Sequence, residues 1–512
     1  MLFNSFIFIF LFLPVTLLGF HFIGSRGRHR VALAWLVGAS LFFYGWWNPA
    51  YLGLILGSML FNYGVGIALN SRPKKVTLTL GIAVNLGLLA YFKYANFFVD
   101  NLNNLVGTDF VLESIILPLA ISFFTFQQIA YLVDAYRGET QEYRFLHYAL
   151  FVTFFPQLIA GPIVHHKQML PQFSHDSLYR LRASHLAVGI TIFTLGLFKK
   201  VVLADGVAIY ATPVFSAAER GVELTIFEAW GGSLAYTLQL YFDFSGYSDM
   251  AIGLARMFGV RLPLNFNSPY KSTNIIDFWR RWHITLSTFL RDYLYIPLGG
   301  NRKGESRRLT NLMITMLLGG LWHGAGWTFL LWGGLHGVYL IANHLFRKAF
   351  PARRYSPLTH VLAWALTMLA VVVAWVPFRA ESIGSAGRIL KSMFGLNGIA
   401  LPDTLLSRIT AIAPGIAEKG IISAGMWRNN VFGSPIAGIT WIAILSFIAL
   451  ALPNVPQFMN RTRPVVSSDL KSLTPTGFAW RQSRAMAILL AVIFVWSIGQ
   501  LSSVSPFLYF NF

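Results

Sequence analysis

The chain has 512 residues, of which 55% are hydrophobic and only 12% are charged, whereas soluble domains carry about 25% charged residues. This composition excludes a soluble globular enzyme and indicates a polytopic membrane protein. The absence of cysteine excludes disulfides, thiolate metal ligands and a cysteine nucleophile. The net charge of +20 fits either a nucleic-acid binder or a membrane protein with basic cytoplasmic loops, so the position of the charges must decide.

Apolar stretches of about 20 residues, the length that a helix needs to cross a bilayer, recur along the chain. Ten of them are regular, and they lie at 2–24, 31–48, 51–69, 76–99, 112–133, 186–204, 225–255, 359–378, 436–454 and 485–501. Two more are irregular. The stretch 147–164 contains Pro156 and Pro162 and predicts a re-entrant segment. The stretch 311–346 is too long for one span and predicts either a span plus a half-helix or a tight hairpin.

We therefore predict one integral domain over 1–512, and its basic loops predict the orientation. No Lys or Arg precedes Arg26, so the first stretch lacks the basic start of a signal peptide and is predicted to be a permanent span. The densest basic segment, 256–310, is predicted to be amphipathic and cytoplasmic. Alternation then places both termini outside, with 379–435 as the largest external region.

Ionisable groups inside apolar stretches are functional candidates, because each costs roughly 2.5–3.5 kcal/mol on insertion. His323 lies among glycines in such a stretch and can exchange a proton near neutral pH; a core histidine bonded to a carbonyl is the alternative. His336 would face away from His323 on a continuous helix, so a structural or interfacial role is predicted for it. Asp243 and Asp249 predict structural pairing, with arginine as a candidate partner.

A second candidate is His283, within the segment 277–287. At helical spacing its aromatic neighbours share a face and Asp277 pairs with Arg281, which predicts an amphipathic helix at the membrane interface. Basic side chains around it would suit an anionic donor, with phosphates held by guanidinium forks and point charges. These residues are Arg280, Arg281, Arg291, Arg302 and Lys303.

Several common motifs are missing from the sequence. It has no Walker A loop, no His-Glu-x-x-His zinc motif and no Gly-x-Ser-x-Gly elbow. The adjacent His165 and His166 are expected to face different ways on a helix. We therefore predict no metal site, and ATP-driven transport and metallohydrolysis are disfavoured.

Taken together, the motifs resemble those of the membrane-bound O-acyltransferase (MBOAT) family, and most of all its bacterial branch involved in alginate O-acetylation. They are FPQLIAGP at 155–162, FDFSGYSD at 242–249, FWRRWHITLS at 278–287, RDYLYIPLGGN at 291–301 and WHG at 322–324. The resemblance implies an all-α polytopic fold, a multi-helix funnel with re-entrant segments around a tunnel. It also implies two functional histidines, His323 and His283.

The resemblance also implies how these residues act. His323 would be the general base or the site of acyl passage, while His283 would orient the donor thioester. The donor would be acetyl-CoA, a substrate rather than a permanently bound cofactor. The protein would be a multi-pass component of the bacterial inner membrane, surrounded by lipids and polysaccharide-synthesis machinery. It would hand acetyl to an extracytoplasmic transferase of the Ser-His-Asp type, and no nucleic-acid partner is expected.

Alternative functions remain open at this point. The acceptor could be peptidoglycan, cellulose or another exopolysaccharide, or the reaction could be D-alanine transfer to teichoic acid. From a different class, a secondary transporter of acyl groups or glycans would also combine broken helices with polar groups at the membrane midplane. A catalytically inactive scaffold subunit is the third alternative, and the presence of His323 argues against it.

Overall fold

The computed structural model describes most of the chain. The described residues are 1–113, 115–140, 144–351, 356–401, 406–408, 422–427, 429–473, 477, 479–501 and 507–508. The predicted external region 379–435 is therefore only partly covered, and its middle lies outside the described residues.

Helices form nearly all of the regular structure in the described part. The first half contains α1 Leu13–Gly24, α2 His29–Gly45, α3 Ala50–Ser71, α4 Lys75–Leu89, α5 Ala95–Val106, α6 Ile121–Tyr136, α7 Phe145–Thr153, α8 Phe155–Leu158, α9 His166–Met169, α10 Ala183–Phe198, α11 Asp205–Glu219 and α12 Ile226–Met257. One-turn π-helical segments occupy Phe8–Phe12, Ala90–Tyr94, Lys199–Ala204 and Arg291–Tyr295, and 3₁₀ turns occupy Leu170–Ser174, Asp176–Tyr179, Pro269–Lys271 and Asn460–Thr462.

The second half contains the helices around the candidate histidines. It contains α13 Ile275–Trp279, α14 Ile284–Leu290, α15 Glu305–His323, α16 Trp327–Ala349, α17 Pro357–Arg379, α18 Ile383–Met393, α19 Pro435–Ala451, α20 Val455–Phe458, α21 Ser467–Leu470 and α22 Arg484–Gly499. Two three-residue strands, β1 Ile399–Leu401 and β2 Ile422–Ala424, pair in parallel, with Ile399 opposite Ile422.

Five helical stretches among the described residues are long and apolar enough to cross a membrane. They are Ala50–Ser71, Lys75–Val106, Ala183–Glu219, Trp327–Ala349 and Pro357–Arg379. Shorter apolar helices lie at Phe8–Gly24, Pro435–Ala451 and Arg484–Gly499. Bulky apolar side chains such as Leu105 and Val495 are exposed, as expected of a surface that faces lipid. The predicted all-α membrane fold is confirmed.

The centre of the protein is the contact between α10 and α12, and small residues make it possible. A Cβ on Gly189 would lie 2.7 Å from the carbonyl oxygen of Gly253, and a Cβ on Gly196 would lie 2.7 Å from that of Gly246. Glycine lets the two backbones approach closely, the usual basis of helix association in membranes. Nearly every residue of α12 from Gly231 onward is buried, so this helix forms the core against which the candidate site is built.

The two irregular stretches are both broken helices. In 147–164, helix α7 ends at Thr153, α8 spans one turn, and residues 159–165 are not helical. The predicted break is confirmed, and its re-entrance stays a prediction. In 311–346, α15 and α16 form a hairpin that turns at Gly324–Gly326, so the hairpin alternative is correct. A Cβ on Gly320 would collide with the carbonyl oxygen of Phe329 in α16.

The segment 277–287 is not one amphipathic helix, and that prediction was wrong. Helix α13 ends at Trp279, residues 280–283 form a turn, and α14 begins at Ile284. The chain cannot continue as a helix because His283 adopts a left-handed conformation, with φ 43° and ψ 53°. Residues 262–270 upstream of it are buried, so this part of 256–310 is protein core and not an interfacial surface.

Candidate active site

His283 is held at the start of α14 by the buried stretch that precedes α13. The backbone N–H of Ile284 donates to the carbonyl of Asn265 at 3.0 Å, and the N–H of Asn267 donates to the carbonyl of Arg281 at 2.9 Å. These bonds tie the residues on either side of His283 to the segment 265–267. They support its left-handed backbone, a conformation that costs a non-glycine residue about 1–3 kcal/mol and recurs at functional sites.

The side chain of Asn265 determines which nitrogen of His283 carries the proton. The Oδ1 atom of Asn265 lies 3.1 Å from Nδ1 of His283 and accepts from the Thr285 hydroxyl at 2.9 Å. The backbone N–H of Thr285, which can only donate, also lies 3.4 Å from Oδ1. Oδ1 is therefore an acceptor and Nδ1 of His283 a donor. In the neutral ring the lone pair then lies on Nε2, so Asn265 fixes the tautomer and the orientation of the imidazole.

His323 is the last residue of α15 and points into an aromatic cage. Its ring centroid lies 5.0 Å from that of Trp332 and 5.1 Å from that of Phe378, both edge to face. Its side chain is only 4% exposed. Because α15 stops at His323, the turn at Gly324 directs the chain into α16 and leaves the imidazole among side chains of α16 and α17.

The two predicted histidines meet. The ring centroids of His283 and His323 are 6.4 Å apart, and Trp322 contacts both rings, with centroids at 6.2 Å and 5.0 Å. Both imidazoles are buried, His283 completely. Burial lowers the pKa of His283 to about 3, so this ring is neutral at physiological pH. Two imidazoles in a water-poor pocket are suited to moving a proton to or from a reacting group.

Lys93 completes this site, and sequence reasoning missed it. Its ammonium donates to the carbonyl of Trp322 at 2.6 Å and to the carbonyl of His323 at 3.0 Å. The Tyr94 hydroxyl donates to the carbonyl of Leu321 at 2.7 Å. These donors satisfy the last carbonyls of α15, which carry the negative end of the helix dipole. A lysine inside the apolar stretch 76–99 was the signal that could have revealed it.

A cavity of about 160 Å³ lies near the two histidines, and we call it the Thr285 cleft. Its wall includes Thr285 and Ile284 next to His283, and Gln168 further out. It also contains the carboxylates of Asp292 and Asp469. Leu264 and Ile284, the chain neighbours of Asn265 and His283, line the cleft, whereas Asn265 and His283 themselves are fully buried.

His336 has a defined structural partner. Its Nδ1 atom accepts the indole N–H of Trp279 at 3.2 Å, and the ring is fully buried. The turn between α15 and α16 removes the continuous helix on which the opposite-face prediction rested. His336 and His323 instead contact the same Trp332 ring, at 4.9 Å and 5.0 Å.

The five basic residues that were predicted to bind the donor do not form one cluster in the structure. Arg281 pairs with Asp277 at 2.9 Å, as its spacing predicted. Arg291 forms a bidentate pair with Asp292, at 2.6 and 2.9 Å. The other three, Arg280, Arg302 and Lys303, are exposed. A donor-binding role for this group stays a prediction.

The prediction that His165 and His166 face different ways was wrong. His165 precedes α9 in an extended conformation, so the helical angle between neighbours does not apply. Both Nε2 atoms reach Oδ2 of Asp134, at 2.6 Å and 2.9 Å, and the Tyr293 hydroxyl lies 3.1 Å from the same oxygen. The side chains of Asp134, His165 and His166 lie close enough to share a metal ion. Both histidines, however, are already bonded directly to the Asp134 carboxylate.

The acids of α12 pair with lysines rather than arginine. Lys199 contacts Asp249 at 2.7 Å, and Lys200 contacts Asp243 at 2.6 Å and Asp205 at 2.9 Å. The predicted structural pairing is therefore confirmed, with lysine in place of arginine as the partner. The π-helical turn that contains both lysines directs both of them toward carboxylates inside the core.

Comparison with known proteins places this geometry in a family. Residues 76–376 match the family model of MBOAT, the membrane-bound O-acyltransferase family. This match contains His283, Asn265, His323 and Lys93. It covers more than half of the 512 residues.

Two of the curated relatives align over the full length of this chain, and a third aligns over less than half of it. A peptidoglycan O-acetyltransferase of Helicobacter pylori is 42% identical over 100% of this chain and 98% of its own length. A probable alginate O-acetylase AlgI of Pseudomonas putida is 40% identical over 100% of both chains. A teichoic acid D-alanyltransferase of Streptococcus thermophilus is 29% identical over 45% of this chain and 58% of its own. The chain belongs to the membrane-bound O-acyltransferase family and is an acyltransferase of the membrane.

Proposed function

We propose that this enzyme takes acetyl from acetyl-CoA on the cytoplasmic side and passes it across the membrane for O-acetylation of an extracytoplasmic polysaccharide. The observation that carries the proposal is the buried pair of His283 and His323, 6.4 Å apart, with His283 oriented by Asn265. Acyl transfer between a thioester and a hydroxyl needs a base within reach of the reacting atoms and a site that excludes water.

In this proposal His323 is the general base. It removes the proton of the accepting hydroxyl as the C–O bond forms and the thioester C–S bond breaks, and the proton then passes to the departing thiolate. His283 positions the thioester. Its Nδ1–H is engaged by Asn265, and its neutral ring adds no charge to the pocket. A covalent acyl-histidine at His323 is the alternative form of the same step.

The acceptor we propose is a bacterial glycan outside the cytoplasm, with alginate or a similar exopolysaccharide as the first candidate. Support comes from the relatives named for alginate O-acetylation, which are 38–40% identical over the whole chain. Peptidoglycan is the second candidate, because the Helicobacter relative named for it is 42% identical over the same length. D-alanine transfer to teichoic acid is less favoured, since that similarity covers only 45% of the chain.

We further propose that the protein lies in the bacterial inner membrane with both termini outside, and that an extracytoplasmic transferase of the Ser-His-Asp type completes the transfer. The basic residues in 256–310 support a cytoplasmic location for that segment. A donor in the cytoplasm and an acceptor outside it support the involvement of a second protein in the final step.

The experiment is the replacement His323→Ala in a strain that lacks the native gene. Acetate is released by alkali from purified exopolysaccharide and, separately, from purified peptidoglycan, and is then quantified. We expect loss of acetate from one of these polymers, which identifies the acceptor. The control is His360→Ala, because His360 is exposed on α17 and should leave acetylation unchanged. Normal acetate in both polymers, with normal membrane expression of the variant, would contradict the proposal.

A further inference from the structure

A second cavity, of about 360 Å³, lies at the cytoplasmic end of α12 as the proposed topology places it, and we call it the arginine cavity. Three arginines line it, one each from the start of α10, the end of α12 and the loop that follows α12: Arg182, Arg256 and Arg261. His175 and His185 are also in its wall, and no carboxylate among the described residues lines it. The cavity therefore concentrates positive charge without a counter-charge.

Arg256 is the strongest sign that a ligand belongs here. Its side chain is 7% exposed, and its Nε–H has no hydrogen-bond partner among the described residues. The buried Nε–H of Arg261 also lacks a partner there. Arg182 and Arg261 lie close enough to Arg256 to repel its charge. Buried guanidinium groups are normally paired, because an unpaired buried charge is costly.

Another cavity among the described residues is also lined by basic side chains, but it contains a carboxylate. It has a volume of about 500 Å³ and is lined by Arg308, Arg347 and Lys348 together with Glu305. Arg308 and Lys348 are paired with Glu305, and Arg347 is exposed. The Thr285 cleft contains two carboxylates, Asp292 and Asp469, and is unsuited to phosphates. Of these three cavities, the arginine cavity is the one whose wall contains arginines and no carboxylate. It is therefore the one suited to binding an anion.

The position of the arginine cavity next to the Thr285 cleft indicates which kind of anion it would bind. Gln168 lines both this cavity and the Thr285 cleft, so the two share a wall. The cleft reaches Thr285, whose hydroxyl bonds Asn265 beside His283. A ligand with phosphates at one end and a reactive group at the other would span from the arginine cavity to the histidine pair.

We propose that Arg182, Arg256 and Arg261 bind the phosphates of the acyl donor, a coenzyme A thioester whose pantetheine arm follows the Thr285 cleft to His283. This inference rests on the proposed function and assigns its donor-binding site. Guanidinium groups suit this role because they contact phosphate oxygens with two parallel hydrogen bonds. A lipid phosphate offers the same chemistry, and the experiment separates the two sources.

The test measures binding of coenzyme A to the purified full-length protein in a neutral detergent, with inorganic pyrophosphate as a competitor. We expect Arg256→Gln and Arg261→Gln each to weaken coenzyme A binding about tenfold or more, and Arg256→Lys to weaken it less. The matched control is Arg307→Gln, since Arg307 is exposed near the start of α15 and should leave the affinity unchanged. Equal affinity in Arg256→Gln and wild type would overturn the assignment.

Thermal unfolding distinguishes a binding arginine from one that merely holds the fold. Because Arg256 is repelled by its neighbours, Arg256→Gln should leave the ligand-free melting temperature unchanged or raise it, and should abolish the upward shift that pyrophosphate causes in wild type. A lower ligand-free melting temperature with a retained pyrophosphate shift would contradict the proposal.

Two further comparisons distinguish a wrong donor assignment from a wrong proposed function. In nanodiscs of phosphatidylcholine with or without phosphatidylglycerol, the arginine-dependent binding of coenzyme A should be the same. If phosphatidylglycerol displaces it and stabilises only wild type, the cavity is a lipid site and the donor assignment is wrong. Arginine-dependent binding in a protein that transfers no acetyl would overturn the proposed function alone. His323-dependent acetylation with arginine-independent binding would overturn this inference alone.

Discussion

The imidazoles of His283 and His323 lie 6.4 Å apart, ring centroid to ring centroid, although one begins a short helix and the other ends a long one. Each is placed by a local interruption of helical structure. His283 occupies a left-handed turn, and His323 is followed by the extended Gly324.

Asn265 should be needed for the orientation of His283. We expect Asn265→Ala to lower acetyl transfer about tenfold or more, because Nδ1 of His283 and the Thr285 hydroxyl both lose their acceptor. The measurement is acetate bound to the polymer per amount of membrane-inserted enzyme. Ser248→Ala is the control, since Ser248 only accepts a bond from the amide nitrogen of Asn265. Equal losses in the two variants would show that orientation of His283 is not the cause.

His283 should make stability depend on pH. Burial lowers its pKa in the folded protein to about 3, whereas an unfolded histidine has a pKa of about 6.5. Between these values the unfolded state binds the extra proton, so stability falls as the pH drops below about 6.5. His283 should contribute about 2 kcal/mol to the loss between pH 7.5 and pH 5.

Thermal unfolding in detergent at these two pH values checks this prediction. The decrease in melting temperature should be smaller in His283→Asn, which retains a donor toward Asn265 and cannot take up the proton. An identical pH dependence in wild type and variant would show that His283 does not contribute.

Lys93 should be required for the end of α15. In Lys93→Met, the carbonyls of Trp322 and His323 lose their ammonium donor, and we expect a loss of about 1–3 kcal/mol in stability together with reduced acetylation. Lys75→Met is the matched control, because Lys75 is exposed at the start of α4. Unchanged melting temperature and activity in Lys93→Met would mean that this cap is dispensable.

The α15–α16 hairpin should tolerate an added methyl group at some glycines and not at others. A Cβ on Gly333 would collide with the carbonyl oxygen of Met316 in α15, so Gly333→Ala should cost about 1–3 kcal/mol or more through overpacking. Its neighbour provides the control, since a Cβ on Gly334 would meet only the side chain of Leu317, at 3.7 Å. Comparison of the two melting temperatures tests the contact; equal values would refute it.

The proposed topology can be tested by reporter fusions. A fusion after Phe512 and one within the exposed residues 301–304 should report opposite sides of the membrane, with the basic loop inside. Alkaline phosphatase is active outside and a fluorescent protein is active inside. The same side for both positions would refute the predicted orientation.

The sequence determined the class of this protein and the identity of its central residues. Low charge and repeated apolar stretches predict membrane helices because the bilayer allows few alternatives for the backbone. The motifs around His283 and His323 pointed to an acyltransferase family, and the family match confirms it. The acids of α12 were correctly predicted to be paired, since buried carboxylates need a partner.

The tertiary structure decided everything that depends on where a helix stops. A helical period applied across 277–287 and 311–346 placed His283 on an interfacial face and turned His336 away, because periodicity carries no information about a left-handed residue or a glycine turn. It also missed Lys93, Asn265 and the approach of His165 to Asp134. These residues are brought together by long-range packing, and distances between segments remote in sequence are set by that packing alone.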